Sequence, residues 1–255
     1  MAAVLQVENL QKTFKHKDKP DITAVDQVSF SLLPGECLGI IGESGSGKTT
    51  LVNLITRLAD SDGGQILLKG KDITRARGRE LRKAYREMQM VFQSPMESFD
   101  PRRTLGDGIG ESLRNSGMPA GQVRKKTEEL LKMCGLTPDF AGRYPHEVSG
   151  GQCQRAAIAR ALAIGPSILI CDEATSSLDV TIQKEILHLL NELRRQKRDD
   201  LSVLFICHDI ALVQGFCDRV LVMYQGRIVE EGLPDDVIRT PRHPYTQRLI
   251  DSILL

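Results

Sequence analysis

Gly42-Glu43-Ser44-Gly45-Ser46-Gly47-Lys48-Thr49-Thr50 fits the pattern G-x-x-x-x-G-K-[ST], and no other stretch limits the fold so tightly. Its glycines let successive backbone N–H groups turn inward into an anion-binding nest, where side chains would block the approach of phosphate. Lys48 brings a point charge to the β- and γ-phosphates, and the Thr49 hydroxyl is placed to ligate Mg²⁺. The run Cys37–Ile41 before the loop reads as a short buried strand, and residues 49–58 after it read as a helix whose N-terminal dipole favours phosphate. A chance match in a Gly-Ser loop is the alternative, and the flanking strand and helix argue against it. The motif implies nucleotide binding without saying to what end.

At 255 residues, 41% hydrophobic and 26% charged, the chain is long enough for one large domain or a domain with a subdomain. The formal net charge of +1 gives no electrostatic case for nucleic acid. Basic clusters at Arg75–Arg86 and Arg194–Arg198 are interrupted or flanked by acids and read as solvated helix faces and helix ends. The six cysteines form no C-x-x-C pair. Cys37, Cys171 and Cys207 lie in apolar runs and read as small buried hydrophobes of a reducing cytosol, so no cysteine metal site is expected. No signal peptide is evident, and no apolar run reaches bilayer length, so any membrane span is expected on another chain.

In chain order, strands are expected at 4–14, 24–32, 36–41 and 64–70, and Pro34-Gly35 marks a turn. After about Gln93 the pattern changes. Residues 94–103 form a loop with two prolines, then 104–115, 122–134 and 150–164 show helical spacing. Strands return at 168–171, 202–207, 219–224 and 227–231, with a helix over 181–195 and a hairpin at Tyr224-Gln225-Gly226. The expected fold is α/β: a P-loop core with a mainly parallel sheet, an N-terminal antiparallel β part and an inserted helical subdomain. Residues 1–93 and 165–232 would form the core, 94–164 the subdomain and 233–255 a short C-terminal tail.

Ile168-Leu169-Ile170-Cys171-Asp172-Glu173 is an apolar strand ending in two carboxylates. In a parallel α/β sheet ligands sit beyond the strands' carboxyl ends, so Asp172 would stand beside the P-loop, suited to Mg²⁺ through water. Glu173 could then orient or deprotonate an attacking water. A simple surface turn is the alternative. Val148-Ser149-Gly150-Gly151-Gln152 precedes a strongly amphipathic helix: Ser149 is a good N-cap, and two glycines bare the backbone at a second anion-binding helix start.

Taken together these residues resemble the ATP-binding-cassette ATPases. In that resemblance Ser149, Gly150, Gly151 and Gln152 belong to the signature, here opened by Val148 in place of leucine. Gln93 matches the Q-loop, Ser177-Leu178-Asp179 the D-loop and His208 the switch histidine. Phe14 matches the aromatic that stacks on adenine, with a core strand residue as the alternative. Gln93-Ser94-Pro95-Met96-Glu97-Ser98-Phe99-Asp100-Pro101-Arg102, the run from Asp172 to Gln183, and His243-Pro244-Tyr245-Thr246-Gln247-Arg248-Leu249 resemble the ATPase subunits of oligopeptide, dipeptide and nickel importers. The resemblance implies ATP and Mg²⁺ as cofactors, with Gly42, Ser44, Gly45, Ser46, Gly47, Lys48, Thr49 and Thr50 at the phosphates. Thr49, Gln93 and Asp172 would serve the metal, and Glu173, His208 and Gln93 catalysis. It also implies a head-to-tail dimer with a second copy or a paralogue, in which the signature caps the other chain's ATP. Further implied partners are membrane permease subunits, docking around Gln93–Asn115, and indirectly an extracytoplasmic solute-binding protein. The chain would then lie peripherally on the cytoplasmic face of a bacterial inner membrane and drive uptake of a peptide, nickel or metal-chelate solute. A soluble accessory ATPase of a metabolic complex, such as phosphonate breakdown, is the alternative. Long coiled coils or zinc modules, which mark DNA-repair members of the family, are not seen in the sequence.

Overall fold

Three apolar pentapeptides organise the molecule: β3 (Cys37–Ile41), β7 (Ile168–Asp172) and β8 (Ser202–Ile206), in which every residue is buried. Strands buried on both faces read as continuous apolar runs, the mark of a covered parallel sheet. The computed structural model describes residues 2–15, 20–174, 178–196 and 200–254. In it these strands lie in a six-stranded sheet of order β10-β9-β3-β8-β7-β6. The other members are β6 (Met88–Val91), β9 (Arg219–Tyr224) and β10 (Arg227–Gly232). All neighbours are parallel except β9 and β10, which form the expected hairpin.

A second, antiparallel sheet has the order β2-β1-β4-β5, from β1 (Leu5–Phe14), β2 (Ile22–Leu32), β4 (Gly63–Leu68) and β5 (Lys71–Asp72). Its inward residues Val25 and Val28 break strict alternation, and the register explains why. One extra residue enters β2 between the partners of Leu10 and Lys12, and one enters β1 between Val7 and Leu10. Gln27 and Asn9 take left-handed backbone conformations there, at φ 52° and 46°. A bulge flips the pleat and restores burial on both sides of it.

Alternate residues of the central strands feed two cores. Leu38, Ile40, Ile168, Ile170, Leu204 and Ile206 face the antiparallel sheet and helix α1 (Lys48–Ile55). Cys37, Ile41, Leu169, Cys171, Val203 and Phe205 face the helices. Those include α3 (Leu105–Asn115), α4 (Ala120–Met133) and α5 (Gly150–Leu162), all between β6 and β7, and α6 (Val180–Gln196) and α7 (Ile210–Phe216) beyond β7. The helical insertion therefore shares its core with the sheet. All six cysteines are buried and free, and burial pushes the Cys134 thiol up to about 12.

Two features go beyond the expectation. The basic cluster read as a solvated helix face lies on α2 (Gly78–Glu87), whose narrow apolar stripe carries Leu81 and Ala84 against the antiparallel-sheet core. Residues 233–254, the expected short C-terminal tail, fold onto the core. They form α8 (Pro234–Arg239) and α9 (Pro244–Leu254), and bury Val237, Tyr245, Leu249 and Ile250 in the helical-side core.

Candidate active site

The sheet register assembles the site before any side chain is considered. β6, β7, β8 and β3 run parallel, with Val91 opposite Cys171, Asp172 opposite Ile206 and Ile40 opposite Ile206. Their carboxyl ends therefore deliver Gln93, Asp172-Glu173, His208 and the P-loop to one edge of the sheet.

Within the loop, Gly42, Gly45 and Gly47 have φ of 152°, 82° and 106°. A Cβ at Gly42 would stand 2.2 Å from the Met223 carbonyl oxygen, and one at Gly47 2.1 Å from that of Ala24. Those two glycines are therefore fixed by their neighbours as well as by the nest. Lys48 begins α1 and is 5% exposed. Its ammonium donates to the carbonyls of Gly42 at 2.6 Å and Glu43 at 2.9 Å. Burial lowers the Lys48 pKa, and the charges of Glu173 and Asp172 resist that shift. A cavity of about 360 Å³ opens over the loop, lined by Ser44, Gly45, Gly47, Lys48, Thr49 and Thr50, and by Glu173, the start of β2 at Ile22–Ala24 and the Gln225–Gly226 turn. Ser46 is buried beneath it and accepts the Gly226 N–H through its carbonyl at 2.9 Å. Phe14 does not line the cavity but pairs across the sheet with Ile22, which does, and at 43% exposure it is not a core residue.

Asp172 is 9% exposed, and its Oδ1 is buried with no hydrogen-bond partner. Burial and the neighbouring Glu173 charge raise its pKa to about 6, against the pull of Lys48. An orphaned carboxylate oxygen facing a phosphate loop suits a hard cation such as Mg²⁺, which takes one or two carboxylates plus substrate phosphates. Glu173 sits at φ 47°, and its N–H donates to the Ile206 carbonyl at 3.0 Å. A non-glycine residue held left-handed at a strand end is strain of the kind that collects at functional sites. Its Oε1 lies 4.0 Å from Nδ1 of His208, whose side chain is 59% exposed. Gln93 is exposed two residues beyond β6.

Ser149 caps α5 as expected. The Gln152 N–H donates to the Ser149 hydroxyl at 3.3 Å, and Gln152 Oε1 accepts the Ser149 N–H at 3.0 Å. Gln152 thus closes a capping box, a pattern legible from Ser-x-x-Gln alone. The two glycines differ. A Cβ at Gly151 would meet Ile182 Cγ2 at 2.7 Å, so that glycine is required by the approach of α5 to α6. At Gly150 the nearest atom, Leu178 Cδ2, is an ordinary 3.4 Å away. Gln154, which no motif singled out, is fully buried and donates to the Ala174 carbonyl at 2.6 Å, tying α5 to the turn after Glu173. Asp179 Oδ1 accepts the Ile182 N–H at 3.0 Å, and Ser177 of the expected D-loop lies outside the described residues. Among the described residues, none of Ser149–Gln152 lines the P-loop cavity. Phe99 is 5% exposed beneath the Arg160 guanidinium, 4.2 Å from its ring centre, so it is a packing residue.

The ABC transporter family model matches residues 25–176. The oligopeptide transport ATP-binding proteins OppF of Haemophilus influenzae and AppF of Bacillus subtilis are 42% and 45% identical to the chain. Each alignment covers 98% of this chain and 78% of the relative. The glutathione import ATP-binding protein GsiA of Escherichia coli is 44% identical, with 98% of this chain on 41% of its length. Among solved structures, the dimeric MJ0796 cassette in a post-hydrolysis state with ADP and Pi superposes with a TM-score of 0.81 at 32% identity, over 90% of this chain and 98% of that one. CbiO1 of Clostridium perfringens, part of the ABC transporter complex CbiONQ, gives 0.82 at 29%, over 93% and 91%. A phosphate loop, two strand-end carboxylates and a capped second helix start on this sheet agree with those matches, and the chain belongs to the ABC transporter family as an ATP-binding, ATP-hydrolysing cassette.

Proposed function

We propose that the chain hydrolyses ATP to drive import of a small solute of the peptide class through a separate permease, from the cytoplasmic face of the inner membrane. The observation that carries the catalytic part is the cavity walled by Lys48 and Glu173, with the Asp172 charge acting on Lys48. Gly42–Thr50 bind the triphosphate through backbone N–H groups and Lys48, and Phe14 at the rim stacks on the base. Thr49, Asp172 and Gln93 would hold Mg²⁺, which would supply neutralisation of the triphosphate's charge. Glu173 orients the attacking water and takes its proton, and His208 beside it holds that geometry. The signature does not line this chain's cavity, which supports its acting on the ATP of a second copy or paralogue, so that ATP forms part of the interface.

The relatives' peptide and glutathione names support the solute class, and no helix among the described residues is long and apolar enough to cross a membrane. A groove of about 280 Å³ between the core and the inserted helices, bordered by Leu58, Met90, Phe92 and Arg160, supports permease docking. Leu58 and Phe92 are 59% and 42% exposed there. Affinity purification of the chain from its own membranes should recover a multi-span permease and a second cassette. Recovery of soluble metabolic enzymes without a permease would overturn the import assignment and favour the accessory one.

A further inference from the structure

The peptide unit joining Gly42 to Glu43 is gripped from both sides. Its carbonyl, on Gly42, accepts the Lys48 ammonium at 2.6 Å. Its N–H, on Glu43, donates to the hydroxyl oxygen of Tyr245 at 2.9 Å, 202 residues away on α9. In a planar trans peptide these two groups point in opposite directions, so holding one fixes the aim of the other. Tyr245 is itself immobilised. It is 2% exposed, and its ring stacks on Tyr224 with centroids 4.0 Å apart and planes 24° apart. The start of α9 is anchored to β10, where the Glu230 carboxylate accepts the N–H groups of Arg242 and His243 at 2.9 and 3.0 Å. His243 Nδ1 then accepts the Tyr245 N–H at 3.2 Å.

We propose that Tyr245 is a positioning residue for the phosphate loop: its hydroxyl fixes the Gly42–Glu43 peptide, and through it the Gly42 carbonyl that seats the Lys48 ammonium. Burial raises the pKa of the hydroxyl, which the Glu43 N–H opposes, so it stays neutral at assay pH. Without it the peptide can rotate, and the carbonyl that pre-places Lys48 turns away. The α8–α9 segment then acts as a brace for the nucleotide site from the far end of the chain. The inference rests on Gly42–Thr50 being the nucleotide cradle.

The test is Tyr245→Phe, which keeps the ring and its stack and removes only the hydroxyl. A fluorescent ATP analogue with Mg²⁺ should bind the purified chain about 3- to 10-fold more weakly, the loss of one hydrogen bond's worth of positioning. Hydrogen exchange should accelerate in the peptide covering Gly42–Ser46 and stay unchanged elsewhere. Tyr224→Phe, whose hydroxyl accepts from Gln225 and not from the loop, should bind as wild type. Wild-type affinity with unchanged exchange in Tyr245→Phe overturns the proposal. So does faster exchange throughout the chain with a lowered melting temperature, which would mark Tyr245 as a general packing residue. Lys48→Ala separates the two levels: if it binds the analogue like wild type, the cradle assignment fails, and the positioning role fails with it.

Discussion

At pH 8 the Asp172 carboxylate should cost the nucleotide-free fold stability, and Asp172→Asn should recover part of that cost. The folded-state pKa is about 6 against 3.8 for a free aspartate, because the group is desolvated and faces Glu173. A raised carboxylate pKa means that the folded state holds the proton more tightly than the unfolded one. Stability therefore rises as pH falls through about 6, and the ionised form is penalised above it. At one pKa unit per 1.36 kcal/mol, the penalty at pH 8 is about 3 kcal/mol, and linkage brings it to about half that at pH 5. Asparagine removes the charge but brings an amide that must find partners where Asp172 Oδ1 has none, a cost of about 1–2 kcal/mol. The net gain at pH 8 should be about 1–2 kcal/mol, or roughly 2–8 °C in melting temperature for a chain of this size. The amide cost does not titrate, so the pH-dependent part of the difference isolates the charge. Calorimetric melts of both proteins in EDTA between pH 5 and 8 measure it, and MgATP titration of the same samples should show much weaker binding by the variant. A variant no more stable than wild type at pH 8, with a difference that does not change down to pH 5, would refute the reasoning.

Glu173→Gln should keep ATP binding and nearly abolish turnover, trapping a closed dimer; hydrolysis near the wild-type rate would remove Glu173 from the water-activating role. Phe14→Ala should weaken ATP binding roughly 5- to 150-fold, the range for about 1–3 kcal/mol of base stacking, with little change in melting temperature because the ring is exposed. Unchanged affinity would assign the stacking to another residue. A mixed dimer with Lys48→Ala on one chain and Gly150→Asp on the other should occlude nucleotide at one site if the signature works across the dimer, while each pure mutant occludes none. Gly150 is the position to alter because a Cβ there meets nothing closer than 3.4 Å, whereas Gly151 would collide with Ile182. No occluded nucleotide in the mixed dimer, under conditions where wild type occludes it, would count against the trans arrangement.

Local pattern carried most of the nucleotide edge, because each part sits at the end of a short apolar strand. The runs Cys37–Ile41, Ile168–Asp172 and Ser202–Ile206 could be read directly, and parallel pairing placed their ends together. What sequence did not show was contact between distant segments. The Glu43–Tyr245 bond spans 202 positions, and the Gln154–Ala174 bond joins a helix interior to a turn; neither leaves a periodicity. Gly151 looked like bared backbone for phosphate, yet its neighbour Ile182 is a packing reason that only three dimensions supply. Phe99 sat in a loop that reads as a docking surface, but it is the platform under Arg160. Helix α2 was legible only as a charged face, because its apolar stripe is narrow and reaches the core through little more than Leu81 and Ala84.

The close seat of Gly151 on Ile182 has a mechanical consequence. Three links bind the start of α5 to its surroundings: that contact, the Gln154–Ala174 hydrogen bond, and the Arg155–Glu185 ion pair at 2.9 Å. With no side chain at Gly151 to act as a spacer, α5 sits close against Ile182 of α6, and the hydrogen bond and the ion pair fix it there. The turn leaving Glu173, the head of the signature helix and the head of α6 therefore form one linkage with little play. A displacement at Glu173 should therefore reach the signature through α5, and Gln154→Ala, which cuts the hydrogen bond to Ala174, should weaken that transmission while leaving nucleotide binding intact.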